Sequence, residues 1–265
     1  MSKSLQQLTE AFCRPLNVDP IMYRTSNPVL TDNTFVVGGD FETHEHMTLE
    51  GVASKTAFMT SLIALMAFGV YNLNDPYLVM GALIVGSIGG LITVLVVVFS
   101  GKCTSNHVAV YAILEGLFLG GLSTLAEAAY PGVAILAVAI TLSIFVGMLV
   151  IYRLRLIAYT ENLRIALASA VIGIVMIYLV SMVLFMFGIS VPMIHGSGPV
   201  GIGFSVFVIA IASLCLVADF DFIEHGVERK APKALEWRAV FGLLVTLIWI
   251  YIEVLRLLMK LQNRR

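Results

Sequence analysis

The sequence predicts an all-α membrane protein, a bundle of seven transmembrane helices, on three observations. Hydrophobic residues make up 59% of the chain and charged residues only 12%, about half the charged fraction of an ordinary soluble domain; the mean hydropathy is +0.94. Beyond residue 50 the apolar residues gather into seven runs, at 53–73, 77–100, 107–129, 132–152, 163–188, 199–223 and 237–261. Each is near the ~20 residues a helix needs to cross a bilayer. None alternates as a barrel strand does, and backbone groups in lipid must be bonded within their own segment, which leaves helices.

Residues 1–50 form the only long polar segment and read as largely loop or disordered. They lack the basic start, apolar run and small-residue cleavage site of a secretory signal. Leu5, Leu8 and Phe12 recur at the spacing of a short interfacial helix. Pro15, Pro20, Asn27-Pro28 and Gly38-Gly39 then break any regular structure. His44 and His46 beside Glu42 and Glu45 are metal-ligand types, but with no ordered frame a solvated loop is the expected state. Residues 51–265 make the transmembrane domain. Cys13, Cys103 and Cys215 are too few and too scattered for a disulfide framework or a metal pair. A net charge of −1 and no basic cluster interleaved with aromatics argue against a nucleic-acid partner.

Within the helices, small residues mark packing faces. Gly86, Gly89 and Gly90 stand in helix two, Ala112, Gly116, Gly120 and Ser123 in helix three, and Ala166, Ser169, Ala170 and Gly173 in helix five. This spacing lets backbones approach in lipid, where no hydrophobic drive pulls helices together. Packing inside one monomeric bundle is the expected use.

Loop charges orient the chain. Lys55, Lys102, Arg153, Arg155, Arg164, Arg229, Lys230, Lys233 and Arg238 fall at one set of helix ends, and the loops at the other ends hold no Lys or Arg. The positive-inside rule therefore places the N-terminus in the cytoplasm. Seven full crossings put Arg256, Lys260, Arg264 and Arg265 outside, against that rule, so the last helix either crosses despite its charge or is re-entrant.

The ionisable residues inside the apolar runs are the functional candidates, because a charge at such depth is costly. Helix six ends in Leu216-Val-Ala-Asp219-Phe-Asp221-Phe-Ile-Glu224-His225, and helix seven holds Glu253. Glu115 lies about 10–12 Å along helix three and the two aspartates about 30 Å along helix six, so these three share the cytoplasmic third. Asp219 and Asp221 cannot point the same way on one helix. Arg256, three residues after Glu253, offers an i, i+3 ion pair, and Glu224 is a supporting acid. Glu127, near the outer end of helix three, is expected to be solvated. Carboxyls brought together in a low dielectric titrate as a set and can share a proton. Losing it leaves charges that repel or capture a cation, the basis for a pH-controlled gate, with Asp219, Asp221 and Glu253 as candidate transient ligands of that cation.

At these residues the chain resembles the transmembrane Bax-inhibitor-motif family over about residues 52–262. The carriers are Glu115-Gly116-Leu-Phe-Leu-Gly120, Ala218-Asp219-Phe220-Asp221-Phe222-Ile223 and Ile250-Tyr-Ile-Glu253-Val-Leu. Glu236-Trp237 and Gly198-Pro-Val-Gly-Ile-Gly203-Phe-Ser are similar to a bacterial branch. The resemblance implies a central last helix and a pair of acids joining helices six and seven that gates a pH-sensitive calcium leak. The helix-seven acid falls on Glu253, usually Asp in the family, and the helix-six acid on Asp219 or Asp221. The interval between them is longer than usual by about two helical turns.

The expected function is a pH-sensitive calcium or general cation leak in a bacterial cytoplasmic membrane, with no cofactor beyond the permeant ion. One alternative is a membrane-embedded regulator of a partner such as a membrane quality-control protease, contacted through residues 1–50. Another is a proton-coupled cation exchanger. An enzyme is not expected: no His lies within a span, and neither HExxH nor a serine-nucleophile motif is present. Lys260 stands too near the end of its helix for a retinal Schiff base.

Overall fold

Helix boundaries in the computed structural model sit where capping residues stand. It describes residues 45–73, 75–188 and 196–264; the readings on Leu5, Leu8, Phe12, Cys13, Glu42 and His44 lie outside them. Helix α1 (Leu49–Tyr71) follows Thr48, whose hydroxyl accepts from Gly51 N at 3.0 Å. Helix α2 (Pro76–Ser100) follows Asp75 and ends at Gly101, with φ of 67°. Helix α3 (Ser105–Ala129) opens at Thr104, bonded to His107 Nδ1. Before α4 (Val133–Arg153), Gly132 takes φ of 87°. Helix α5 spans Glu161–Met186 and α6 spans Pro199–Glu228. A 3-10 turn, Lys233–Leu235, leads into α7 (Glu236–Gln262). Among the described residues these seven helices are long and apolar enough to cross a membrane.

The last helix is the core. In α7, 67% of the spanning window is buried, against 17–39% in the others, and it packs on α1, α3, α4 and α6. Its middle is apolar on most of its circumference, as a largely buried helix requires, with Thr246 and Glu253 as the polar exceptions. Beside it, α3 lies between α1 and α2 with backbones in contact. A Cβ at Gly86 would stand 2.5 Å from Leu114 O, and one at Gly120 2.7 Å from Ala67 O. The glycines of α2 and α3 thus serve packing within the chain. The small residues of α5 do not: a Cβ at Gly173 meets open space. Helix α5 instead buries Leu167, Ile174 and Ser181, every seventh residue, and packs on α6. Small spacing permits approach without compelling it.

At the basic end, the residues before α1 are fastened to the α6–α7 connection. Met47 N donates to Ala231 O at 2.8 Å and Lys233 N to Glu45 O at 3.2 Å. Lys233 Nζ meets Glu45 Oε2 at 2.7 Å, which holds the Glu45 carboxyl below its usual pKa. Deeper in, the fully buried Glu236 accepts from Lys55 Nζ at 2.5 Å and from Thr48 N at 2.9 Å. Lys55 also lies 4.6 Å over the Trp237 ring. Glu45 thus fastens the segment before α1 to Lys233.

Helix α7 crosses the bundle completely. Its 27 residues span about 40 Å at 1.5 Å each. At the far end Asn263 Nδ2 donates to Ser197 Oγ, just before α6, at 2.7 Å. Two of the four charges that conflict with the orientation rule are absorbed internally, while Arg264 is exposed. Arg256 pairs with Glu253 at 2.9 Å, and the buried Lys260 donates to Gly201 O at 2.9 Å and Ser205 Oγ at 2.8 Å.

Candidate functional site: buried acids along α6 and α7

Where α6 meets α7, side chains from Cys215 to Ile223 are buried on every face of the helix, so acids in this stretch have protein rather than water around them. Asp219 is 1% exposed and accepts a 2.7 Å bond from Thr246 Oγ1 of α7. Hydrogen bonds to a charged acceptor contribute about 1.5–3 kcal/mol each, enough to fix this contact between the two helices. The Thr246 hydroxyl also lies 3.2 Å from Gly242 O, one turn back. Donating to that carbonyl is its alternative when Asp219 does not need the proton.

Asp221 points elsewhere, as the two-residue interval requires. Its carboxylate lies 3.5 Å from His225 Nδ1, which also meets the Asp221 carbonyl at 2.8 Å. Glu224 takes the Tyr152 hydroxyl of α4 and lies 3.9 Å from Arg155. Between them Phe220 packs on Phe145 and Tyr152, at 5.8 and 5.7 Å between ring centres. These residues anchor α6 to α4 at the basic end.

Glu253 is 1% exposed. Its Oε1 accepts from Tyr178 of α5 at 2.7 Å and from Arg256 Nη1 at 2.9 Å, and the same Nη1 donates to Tyr178 at 2.8 Å. The Tyr178 ring sits edge-on to Phe204 of α6. The other oxygen, Oε2, is buried with no hydrogen-bond partner among the described residues.

Thr246 and Glu253 are seven residues apart on α7, about 10 Å along its axis. The pairing of Glu253 with Asp219 or Asp221 that the resemblance implies is therefore not the arrangement here. Thr246 stands opposite Asp219, and Glu253 answers to α5, two turns nearer the far end. Asp219, Asp221 and Glu253 are not gathered into one calcium set: among the described residues, no group of three His, Cys, Asp or Glu side chains could hold a metal ion.

Glu115 is about 15 Å along α3, at the depth expected, but it turns toward α2. A Cβ at Gly90 would lie 2.5 Å from its Oε1, and Tyr111 one turn back hydrogen-bonds to it. Tyr111 in turn stacks on Phe241 of α7, 4.8 Å between centres. Glu127, half-buried at the outer end of α3, also caps the start of α4, accepting from Gly132 N at 2.6 Å and Ala134 N at 3.1 Å.

Thr246, Tyr178, Tyr111 and Tyr152 have no place among the candidates read from the sequence, and Lys55 stands there only as an orientation charge. Of these only Lys55 carries a charge that a pattern search weighs.

The family model described as Bax inhibitor 1 like matches residues 27–263. The chain belongs to the Bax inhibitor 1-like family. No curated protein and no solved structure matches it. As a Bax inhibitor 1-like protein it keeps acids in both of the last two helices, and places them at two depths rather than face to face.

Proposed function

We propose that this chain is a passive, protonation-sensitive leak for cations, calcium foremost, across a bacterial cytoplasmic membrane, with its N-terminus in the cytoplasm. The observation that carries the reading is Glu253 Oε2, a carboxylate oxygen buried within the last helix with no hydrogen-bond partner among the described residues. A buried acid in that position is stable when it holds a proton or a cation, and costly otherwise. Oxygen donors suit a hard cation such as calcium, and acidic groups along a path draw cations into it.

The two depths give the proposed path two closures. At the basic end the Thr246–Asp219 bond holds α7 to α6. Toward the far end the triangle of Tyr178, Arg256 and Glu253 holds α7 to α5. Protonation of Asp219 removes the charge from the Thr246 bond and protonation of Glu253 releases Arg256, so gain of a proton at either acid favours separation of the helices around it, in place of the single shared-proton gate that a paired site would use. Glu115, turned toward α2, and Glu224, tied to α4, are supporting groups in this scheme.

The test is calcium entry into dye-loaded liposomes containing the purified protein, scanned from acid to neutral pH. The expected result is a pH-dependent flux altered by both Asp219→Asn and Glu253→Gln, and altered less by Asp221→Asn, whose partner is His225 on the same helix. Flux equal to that of empty liposomes at every pH, from folded protein, would sink the proposal. The partner-regulator reading is tested by removing residues 1–44, which leaves the contacts of residues 45–48 with the α6–α7 connection in place: a leak survives that deletion.

A further inference from the structure

At the far end of the bundle, a cavity of about 280 Å³ is lined by Tyr130, Ser197, Arg256, Met259, Lys260 and Asn263. This lies near the lower bound of small-molecule sites. Its polar lining consists of cations, hydroxyls and an amide, with no carboxylate among them. The nearest acid along α7 is Glu253, which meets Arg256 through Nη1. Among the described lining residues the only charged side chains are the cations Arg256 and Lys260. The field in the cavity therefore favours an anion.

The donor geometry is specific. Arg256 uses only Nη1 for Tyr178 and Glu253, its guanidinium lies 5.1 Å over the Tyr178 ring, and its side chain is 31% exposed. Nε and Nη2, the other edge of the fork, have no partner among the described residues. Such an edge matches the paired oxygens of a phosphate. Asn263 donates to Ser197 Oγ, so the Ser197 hydroxyl hydrogen is directed to another acceptor. Lys260, fixed by Gly201 and Ser205, contributes charge. Tyr130 and Met259 supply the amphipathic rim found at membrane–water interfaces.

We propose that this cavity binds a phosphate-type anion on Arg256, either the headgroup of a lipid or a soluble anion. Under the cation-leak reading above, on which this consequence rests, the bound anion competes with Glu253 for Arg256 and so loosens the closure at the far end. Binding itself does not depend on that reading and is measured without flux.

The experiment uses the full chain purified in uncharged detergent. Inorganic phosphate is titrated by calorimetry, and retention of phosphatidylglycerol against diacylglycerol is followed by native mass spectrometry. Each is repeated with Ser197→Asp and Arg256→Lys. Ser197→Asp still accepts the bond from Asn263 and alters neither Arg256 nor Glu253 in sequence, while placing a negative charge in the cavity. The expected result is saturable binding, weakened on the order of tenfold or more in Ser197→Asp and less in Arg256→Lys, which keeps the charge and loses the fork. Preferential retention of phosphatidylglycerol assigns a lipid headgroup; phosphate binding without lipid preference assigns a soluble anion. No binding of either probe, or equal binding by wild type and a folded Ser197→Asp, overturns the proposal.

Discussion

Glu236 and Lys55 form the buried ion pair whose energetics the structure defines most fully, and their two ends differ in access to water. Glu236 is sealed, with 0% of its side chain exposed, whereas Lys55 retains 22%. Removing one partner of a buried pair costs about 3–5 kcal/mol when the survivor cannot reach solvent. Lys55→Met leaves Glu236, among the described residues, with only Thr48 N and Thr48 Oγ1 as donors, so it should cost near that range, about 3–4 kcal/mol. Glu236→Gln leaves a lysine that extends into water along its flexible stem and keeps an oxygen for Thr48 N. Its cost should be about 1.5–2 kcal/mol, that of a lost charge-assisted bond. The double variant should lose much less than the sum, because neither charge remains stranded. At roughly 2–4 °C per kcal/mol for a chain of this size, melting in detergent resolves the three. A Glu236→Gln loss equal to or larger than that of Lys55→Met, or strict additivity in the double variant, would refute the account.

Three further outcomes follow from particular contacts. Gly86→Ala drives a methyl to 2.5 Å from backbone atoms of Leu114 and Phe118 and should cost about 1–3 kcal/mol, whereas Gly173→Ala enters open space and should gain about 0.5–1 kcal/mol; thermal melts of the pair check the contrast. Tyr178→Phe keeps the ring against Phe204 but removes the hydroxyl that serves Glu253 and Arg256, with an expected loss of about 1 kcal/mol and a changed calcium flux in liposomes. Burial pushes the Cys103 thiol, which sits between α2 and α3, up to about 11 from 9.0. In a variant lacking Cys13 and Cys215 it should react with maleimide far more slowly at pH 8 when folded than when unfolded. The folded form keeps that proton where the unfolded form loses it. Its contribution to stability is therefore complete below pH 9 and declines as the pH rises toward 11.

The seven helices were legible because each spanning run must satisfy its own backbone, and composition records that directly. Capping residues such as Thr48, Asp75 and Gly101 moved boundaries by only a few residues. The exception is α6, which continues to Glu228 rather than stopping at 223, since Asp221 and Glu224 find partners in His225, Tyr152 and Arg155 instead of ending the helix. The depth of Glu115 was readable from the helical rise, but its turn toward Gly90 was not, because direction depends on a neighbour. The site itself was half legible. Acids in apolar runs announce themselves by their cost, while Thr246 and Tyr178, the neutral groups that hold them, cost little in a helix and leave no signature. Full crossing by α7 was hidden for a related reason: the pairing of Arg256 with Glu253 and of Lys260 with Gly201 and Ser205 is a tertiary fact.

That the most enclosed helix is also the last along the chain sets the order in which the molecule can be completed. During synthesis α1 to α6 emerge first, and α1, α2 and α3 can already close on one another through their glycine contacts. Glu236, Thr246, Glu253 and Lys260 then arrive together on one helix, each with its counterpart waiting on α1, α6, α5 or α6. Until that moment Lys55 and Asp219 face a centre that has not been filled. A chain interrupted before α7 thus lacks its core rather than its edge, and its exposed polar groups distinguish it from the finished protein for any surveillance system that reads charge within the bilayer.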